Sequence, residues 1–296
     1  MIDTREPRAG RTVAWLVLLL VIQVLALIAV WRFAVRTEPG QLLDTIALTG
    51  NSIGRRRISG MVSAILDAAS LLALLAATAV TGFIALIRGR VALAAVTIML
   101  IAGANVTTQA LKYLIERPDL GVDPARAMAG NSLPSGHATV AASVAIALIM
   151  VLPPRLRGWG ALLGAGYAGA VGVATLSAGW HRPSDAVAAL LVVGAWAALA
   201  GLLLVLTQRE SVRVEPADQN WLAGTVLAVV GLLLLVVAVF ALGATDSVRA
   251  IPIERLGRRQ LFAAYAGSAA GIAGTAALVT ASVLVTLHRV VPRYPG

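Results

Sequence analysis

Cysteine is absent from the 296 residues, which excludes disulfides, thiol catalysis and cysteine-ligated zinc or iron–sulfur clusters. Charge is scarce: 13% of residues are Asp, Glu, Lys or Arg, against 59% hydrophobic. A water-soluble globule of this size cannot hide so much apolar surface, so a sizeable soluble domain is excluded as well. Lysine occurs once and histidine three times, and the net charge of +10 is almost entirely arginine. Those arginines are scattered among short segments rather than gathered on one arm or face, so nucleic acid is not the expected partner. Solvated surface and anionic lipid headgroups account for them.

What remains is hydrocarbon, with a mean hydropathy of +0.87. Arg5, Arg8 and Arg11 precede an apolar run from Val13 to Trp31. The run is too long for a signal peptide core and no small-x-small cleavage site follows it, so an uncleaved first span is expected. About eight segments are long enough to cross roughly 30 Å of hydrocarbon at about 1.5 Å per residue. They fall near 13–35, 61–87, 91–115, 134–152, 159–180, 185–206, 221–244 and 261–287. The expected fold is therefore all-α, a polytopic membrane helix bundle. The fourth segment is short and needs Pro134 in its first turn to reach across. The fifth carries Gly160, Gly164, Gly166, Gly169 and Gly172, which suits close helix contact.

The few chemically capable residues fall in two loops, one after span three and one after span five. Two crossings separate these loops, which puts them on the same membrane face. Basic residues divide almost evenly between the two sides, so the positive-inside rule selects neither orientation.

Pro134-Ser135-Gly136-His137 sits where a loop enters an apolar helix. Free N–H groups and the helix dipole attract anions there, Ser135 adds a hydroxyl donor, and Gly136 lets an oxyanion approach the backbone. An ordinary helix cap reads equally well from these four residues. His181 and Asp185 stand four apart at the start of span six. A carboxylate beside an imidazole fixes its tautomer and stabilises its cation, although an acid in a helix first turn is also common on its own. Lys112 follows Asn105 and Gln109 and precedes Glu116 at helical spacing, a polar stripe that favours a lined site over a snorkelling lysine. Asp67, inside span two, reads either as part of a polar pathway or as a paired bundle residue. Taken together, two histidines, one lysine, a helix N-terminus and a carboxylate supply a nucleophile, a proton donor and positive charge for a phosphoryl group, with no metal.

These residues resemble the type 2 phosphatidic acid phosphatase (PAP2) superfamily, whose pattern is Lys-x6-Arg-Pro, then Pro-Ser-Gly-His, then Ser-Arg-x5-His-x3-Asp. The likeness covers roughly residues 60–206. It implies a six-span core over 1–206, with two further spans of unknown role over 207–296. It also implies that His181 attacks phosphorus, Asp185 orients it, and His137 protonates the leaving group. Lys112, Ser135 and Gly136 would hold phosphate oxygens. The implied activity is metal- and cofactor-independent hydrolysis of a membrane lipid phosphate or diphosphate, of the polyprenyl or phosphatidate type. By resemblance the site faces the extracytoplasmic side of a multi-pass cell-membrane protein; the oligomeric state stays open. The chain departs from the pattern twice. Asp119 occupies the arginine position of the first motif, and Ala174 and Thr175 replace Ser-Arg of the third. Arg117 is the first candidate to substitute, then Arg182, with Arg126 also near. A non-hydrolytic lipid-binding or transport protein on the same fold, and a lipid phosphotransferase, are the alternatives.

Overall fold

The apolar runs become helices because lipid offers no partner for backbone N–H and C=O groups, which must pair within each segment. The structure, a computed structural model, describes residues 6–53, 55–67, 75, 78–80, 82–83, 87, 90–123, 130–207 and 220–290. The helices described in full are α1 (Glu6–Arg36), α2 (Glu38–Thr49), α3 (Arg55–Asp67), α4 (Val91–Leu114), α5 (Gly136–Val151), α6 (Pro154–Ser177), α7 (Pro183–Thr207), α8 (Trp221–Asp246) and α9 (Arg258–Val290). Six of them, α1, α4, α6, α7, α8 and α9, are long and apolar enough to cross a membrane among the described residues.

Most of the expected second span, 61–87, lies outside the described residues. Asp67 ends α3 and is exposed, so it lines no buried pathway. The fourth span is shorter than expected. Pro134 is not in its first turn: the peptide before it is cis, and Ser135 instead caps the helix, its Oγ accepting from Ala138 N–H. The resulting 16 residues rise only about 24 Å.

Packing centres on α7, which is largely buried and touches α1, α4, α5 and α9. Small residues set the close approaches. A Cβ on Gly103 would lie 2.5 Å from the Trp196 ring, and the indole of Trp196 donates to Thr107 Oγ1 at 3.0 Å, so α4 seats on α7 by shape and by one polar contact. The glycines of α6 divide between neighbours: Gly160 and Gly164 face Leu152 and Ile149 near α5, Gly169 and Gly172 face Ala273 and Ile272 of α9, and Gly166 meets nothing. The last two spans pack as a pair, with α9 lying against α6 and α7 while α8 leaves most of its surface exposed.

α2 was not expected from the sequence. Thr37 Oγ1 accepts from Gly40 N–H and Pro39 sits in the first turn, two ordinary helix-start features. Its residues Gly40 to Leu48 are mostly buried against α1, α7 and α9.

Candidate active site

The C-terminal end of α4 and the N-terminal ends of α5 and α7 meet at one end of the bundle. Ser135 N–H donates to the Asp185 carbonyl at 2.9 Å, tying the start of α5 to the start of α7. A Cβ built on Gly136 would stand 3.7 Å from Lys112 Nζ and 3.8 Å from Gln109 Nε2. The lysine ammonium thus lies over the first turn of α5, where the free N–H groups point. Further down the same face Asn105 Nδ2 donates to Ser143 Oγ at 3.3 Å, and Thr108 and Thr139 share a hydroxyl contact at 2.8 Å. Glu116 does not continue this stripe, because α4 stops at Leu114 and Ile115 is extended; Glu116 is exposed.

The loop from α6 to α7 reverses in a few residues. The Thr175 carbonyl accepts from Trp180 and His181 N–H, and Gly179 takes a φ of 75°, a conformation that glycine adopts without strain. His181 therefore returns over the end of α6. Its Nδ1 lies 3.2 Å from Asp185 Oδ2. The same oxygen accepts from Arg182 N–H at 3.0 Å and from Ser132 Oγ–H at 2.6 Å. With Nδ1 held by the carboxylate, the lone pair on Nε2 is the one left for chemistry. Trp180 places its ring 5.4 Å from that of His137, tilted by 48°.

Two buried arginines complete the cluster. Arg117 Nη2 lies 3.7 Å from Asp185 Oδ1, and its Nη1 donates to the Ala34 carbonyl at 3.4 Å. Burial lowers the Arg117 guanidinium below its ordinary value, with Asp185 opposing. Arg182 Nη2 pairs with Asp123 at 3.7 Å. Arg117 Nε and Nη2, Arg182 Nε and Asp185 Oδ1 have no hydrogen-bond partner among the described residues. Buried N–H groups rarely go unpaired in proteins, so these guanidinium groups keep donor capacity that the described residues do not use. Beside them a cleft of about 470 Å³ opens between Lys112, Glu116, Arg117 and Arg36.

The structure thus gathers His181, Asp185, Arg182, Arg117, Lys112, Ser135, Gly136 and His137 at one end. Ser135 is fully buried and its hydroxyl is engaged as the cap of α5. Asp119 serves its own loop, accepting from Gly121 N–H at 2.9 Å. Thr175 is fully buried with its hydroxyl donating to Gly172 O at 2.7 Å. Arg126 lies outside the described residues.

Three residues escaped the sequence reading. Ser132 holds Asp185. Asp44 and Gln41 reach the site from α2: Asp44 accepts from Ser184 N–H at 3.3 Å and from the Ser184 hydroxyl, while Gln41 Nε2 donates to the Val35 and Pro118 carbonyls, each at 2.9 Å. Burial raises the Asp44 carboxyl to about 6, with the Ser184 bond opposing. Only the Thr37–Pro39 helix start hinted at this element.

The model of the PAP2 superfamily matches residues 70–211. No curated protein and no solved structure matches the chain.

Proposed function

We propose that this chain, which belongs to the PAP2 superfamily through residues 70–211, is a membrane-embedded phosphatase that hydrolyses a lipid phosphate or diphosphate through a phosphohistidine at His181. Superfamily membership by itself indicates phosphatase-type activity on phosphate esters, and the apolar helices indicate a multi-pass membrane protein. The observation that carries the finer reading is the pairing of His181 Nδ1 with Asp185 beside guanidinium N–H groups that lack partners.

In this reading the Nε2 lone pair of His181 forms an N–P bond as the P–O bond to the lipid breaks. His137 delivers a proton to the departing oxygen, so the product leaves as an alcohol or, from a diphosphate, as a monophosphate. His137, now neutral, takes a proton from water while the water oxygen attacks phosphorus. The N–P bond breaks, the electron pair returns to His181, and inorganic phosphate leaves. Lys112, Arg117, Arg182 and the Gly136 N–H hold the non-bridging oxygens, while Ser135 sets the start of the helix that presents them. One positioned acid contributes about 10²–10⁴-fold, and one oxyanion donor about 10²–10³-fold. The lipid tail lies along the bundle in the bilayer, with the site on the extracytoplasmic side of the cell membrane.

A non-hydrolytic lipid carrier on this fold would be favoured if no arginine approached the histidines. The Arg117 guanidinium stands 3.7 Å from Asp185, the partner of His181, which supports hydrolysis instead. Purified protein given phosphatidate or a polyprenyl diphosphate should release inorganic phosphate. Release no greater than that of a His181→Ala control, across both lipid classes, refutes the reading. Product analysis separates transfer to water from transfer to another lipid.

A further inference from the structure

The first N–H groups of α7 have no acceptor within the helix itself. Its first residues are Pro183, Ser184 and Asp185, preceded by Arg182, so the free N–H of Ser184 needs an acceptor from elsewhere. Asp44 supplies it. The carboxylate is buried in the middle of α2, 140 residues away in sequence, and accepts both the N–H and the hydroxyl of Ser184. The next residue, Asp185, holds His181 and stands against Arg117. Three residues earlier on α2, Gln41 binds the carbonyl of Pro118, immediately after Arg117. Residues 41 and 44 share one face of the helix by spacing. A single face of α2 therefore touches both the turn carrying His181 and the loop carrying Arg117.

We propose that Asp44 is a positioning residue of the active site, acting through Ser184 to set the Asp185–His181 pair, and that Gln41 on the same helix face sets the Arg117 loop. Both lie before residue 70, outside the stretch that matches the superfamily. The helix that carries them is thus a working part of the phosphatase core. A buried aspartate that served only to hold α2 in place could face any donor; this one meets the backbone N–H of the residue adjoining Asp185.

The inference rests on the phosphatase reading, so its test has an arm that needs no turnover. Asp44→Ala, Asp44→Asn and Ser184→Ala are purified in detergent beside the wild type. In the turnover arm, kcat of Asp44→Ala falls at least about tenfold with KM changing less than about threefold, because misplacement of a reacting group costs rate rather than affinity. Asp44→Asn, whose amide oxygen still accepts from Ser184 N–H, recovers to within about threefold of the wild type. In the second arm, diethyl pyrocarbonate modification of His181 is followed by peptide mass spectrometry. Asp44→Ala changes the His181 rate by at least about threefold. Ser184→Ala, which removes only the hydroxyl contact, gives a smaller change in the same direction and remains readable if Asp44→Ala does not fold. Unchanged kcat and an unchanged His181 rate in these variants overturn the positioning role. A wild type that releases no phosphate while the His181 rate still responds refutes the phosphatase reading and leaves the positioning role standing.

Discussion

Replacing Arg117 separates the two tasks that its burial combines. The side chain is 1% exposed and its Nη2 stands 3.7 Å from Asp185 Oδ1, beyond hydrogen-bond range. Asp185 keeps three donors on Oδ2, from Ser132, Arg182 and His181. Breaking a buried ion pair typically costs about 3–5 kcal/mol, but here the pair is long, and Oδ2 keeps its three donors while Oδ1 loses its ion-pair partner. Arg117→Ala should therefore lose about 1–3 kcal/mol of stability, the range for one unsatisfied buried polar group. The catalytic loss is larger. Nε and Nη2 make no hydrogen bond among the described residues, and in the proposed reaction they receive phosphate oxygens. Removing an oxyanion donor of this kind costs about 10²–10³ in kcat, or roughly 3–4 kcal/mol. Arg117→Lys keeps the charge without the planar fork and should recover only part of the rate. Initial rates of phosphate release from a lipid phosphate in mixed micelles, with thermal melting on the same preparations, give both quantities. A folded Arg117→Ala with kcat within about threefold of wild type would refute the assignment of this arginine to phosphate.

Ser132→Ala removes the 2.6 Å bond to Asp185 and leaves the bundle intact, so kcat should fall about tenfold with melting lowered by about 1 kcal/mol; equal kcat would remove Ser132 from the site. Gly136→Ala adds a methyl at ordinary contact distance from Lys112 and Gln109, so the fold should hold while KM for the phosphorylated lipid rises about tenfold. An unchanged KM would place phosphate away from that helix start. Asp44 carries the pH prediction. Its folded value of about 6 lies above the ordinary 3.8, so the folded chain binds the proton more tightly than the unfolded chain. That contribution is fully present below pH about 4 and is lost as the pH rises through about 6, by about 3 kcal/mol in all. Melting at pH 4 and pH 7 should show this slope in the wild type and not in Asp44→Asn; equal slopes in the two would refute it.

The parts of the site that were legible in the sequence are those whose chemistry is local. His181 and Asp185 are four residues apart at a helix start, and Ser135-Gly136-His137 open a helix, so spacing made each a local candidate and the family resemblance supplied its role. Two crossings of the bilayer put both loops at one end. Boundaries were less legible: Glu116 fell off α4 because the helix stops at Leu114, and Pro134 fell outside α5 because Ser135 takes the capping role. The Asp44–Ser184 contact was hidden for a different reason. A twelve-residue helix of mixed polarity carries little periodic signal, and a carboxylate in it looks solvated until a chain segment 140 residues away closes over it. The displaced arginines show the same limit. Thr175 is sealed in the core and Asp119 turns into its own loop, yet Arg117 reaches Asp185 through the fold.

The most direct measurement is acid-free quenching of the enzyme during turnover on its lipid substrate, followed by peptide mass spectrometry. The mechanism predicts one phosphoryl group on the peptide containing His181 and none in His181→Ala. Phosphate release with that peptide unmodified, or with the phosphoryl group on His137, would contradict it.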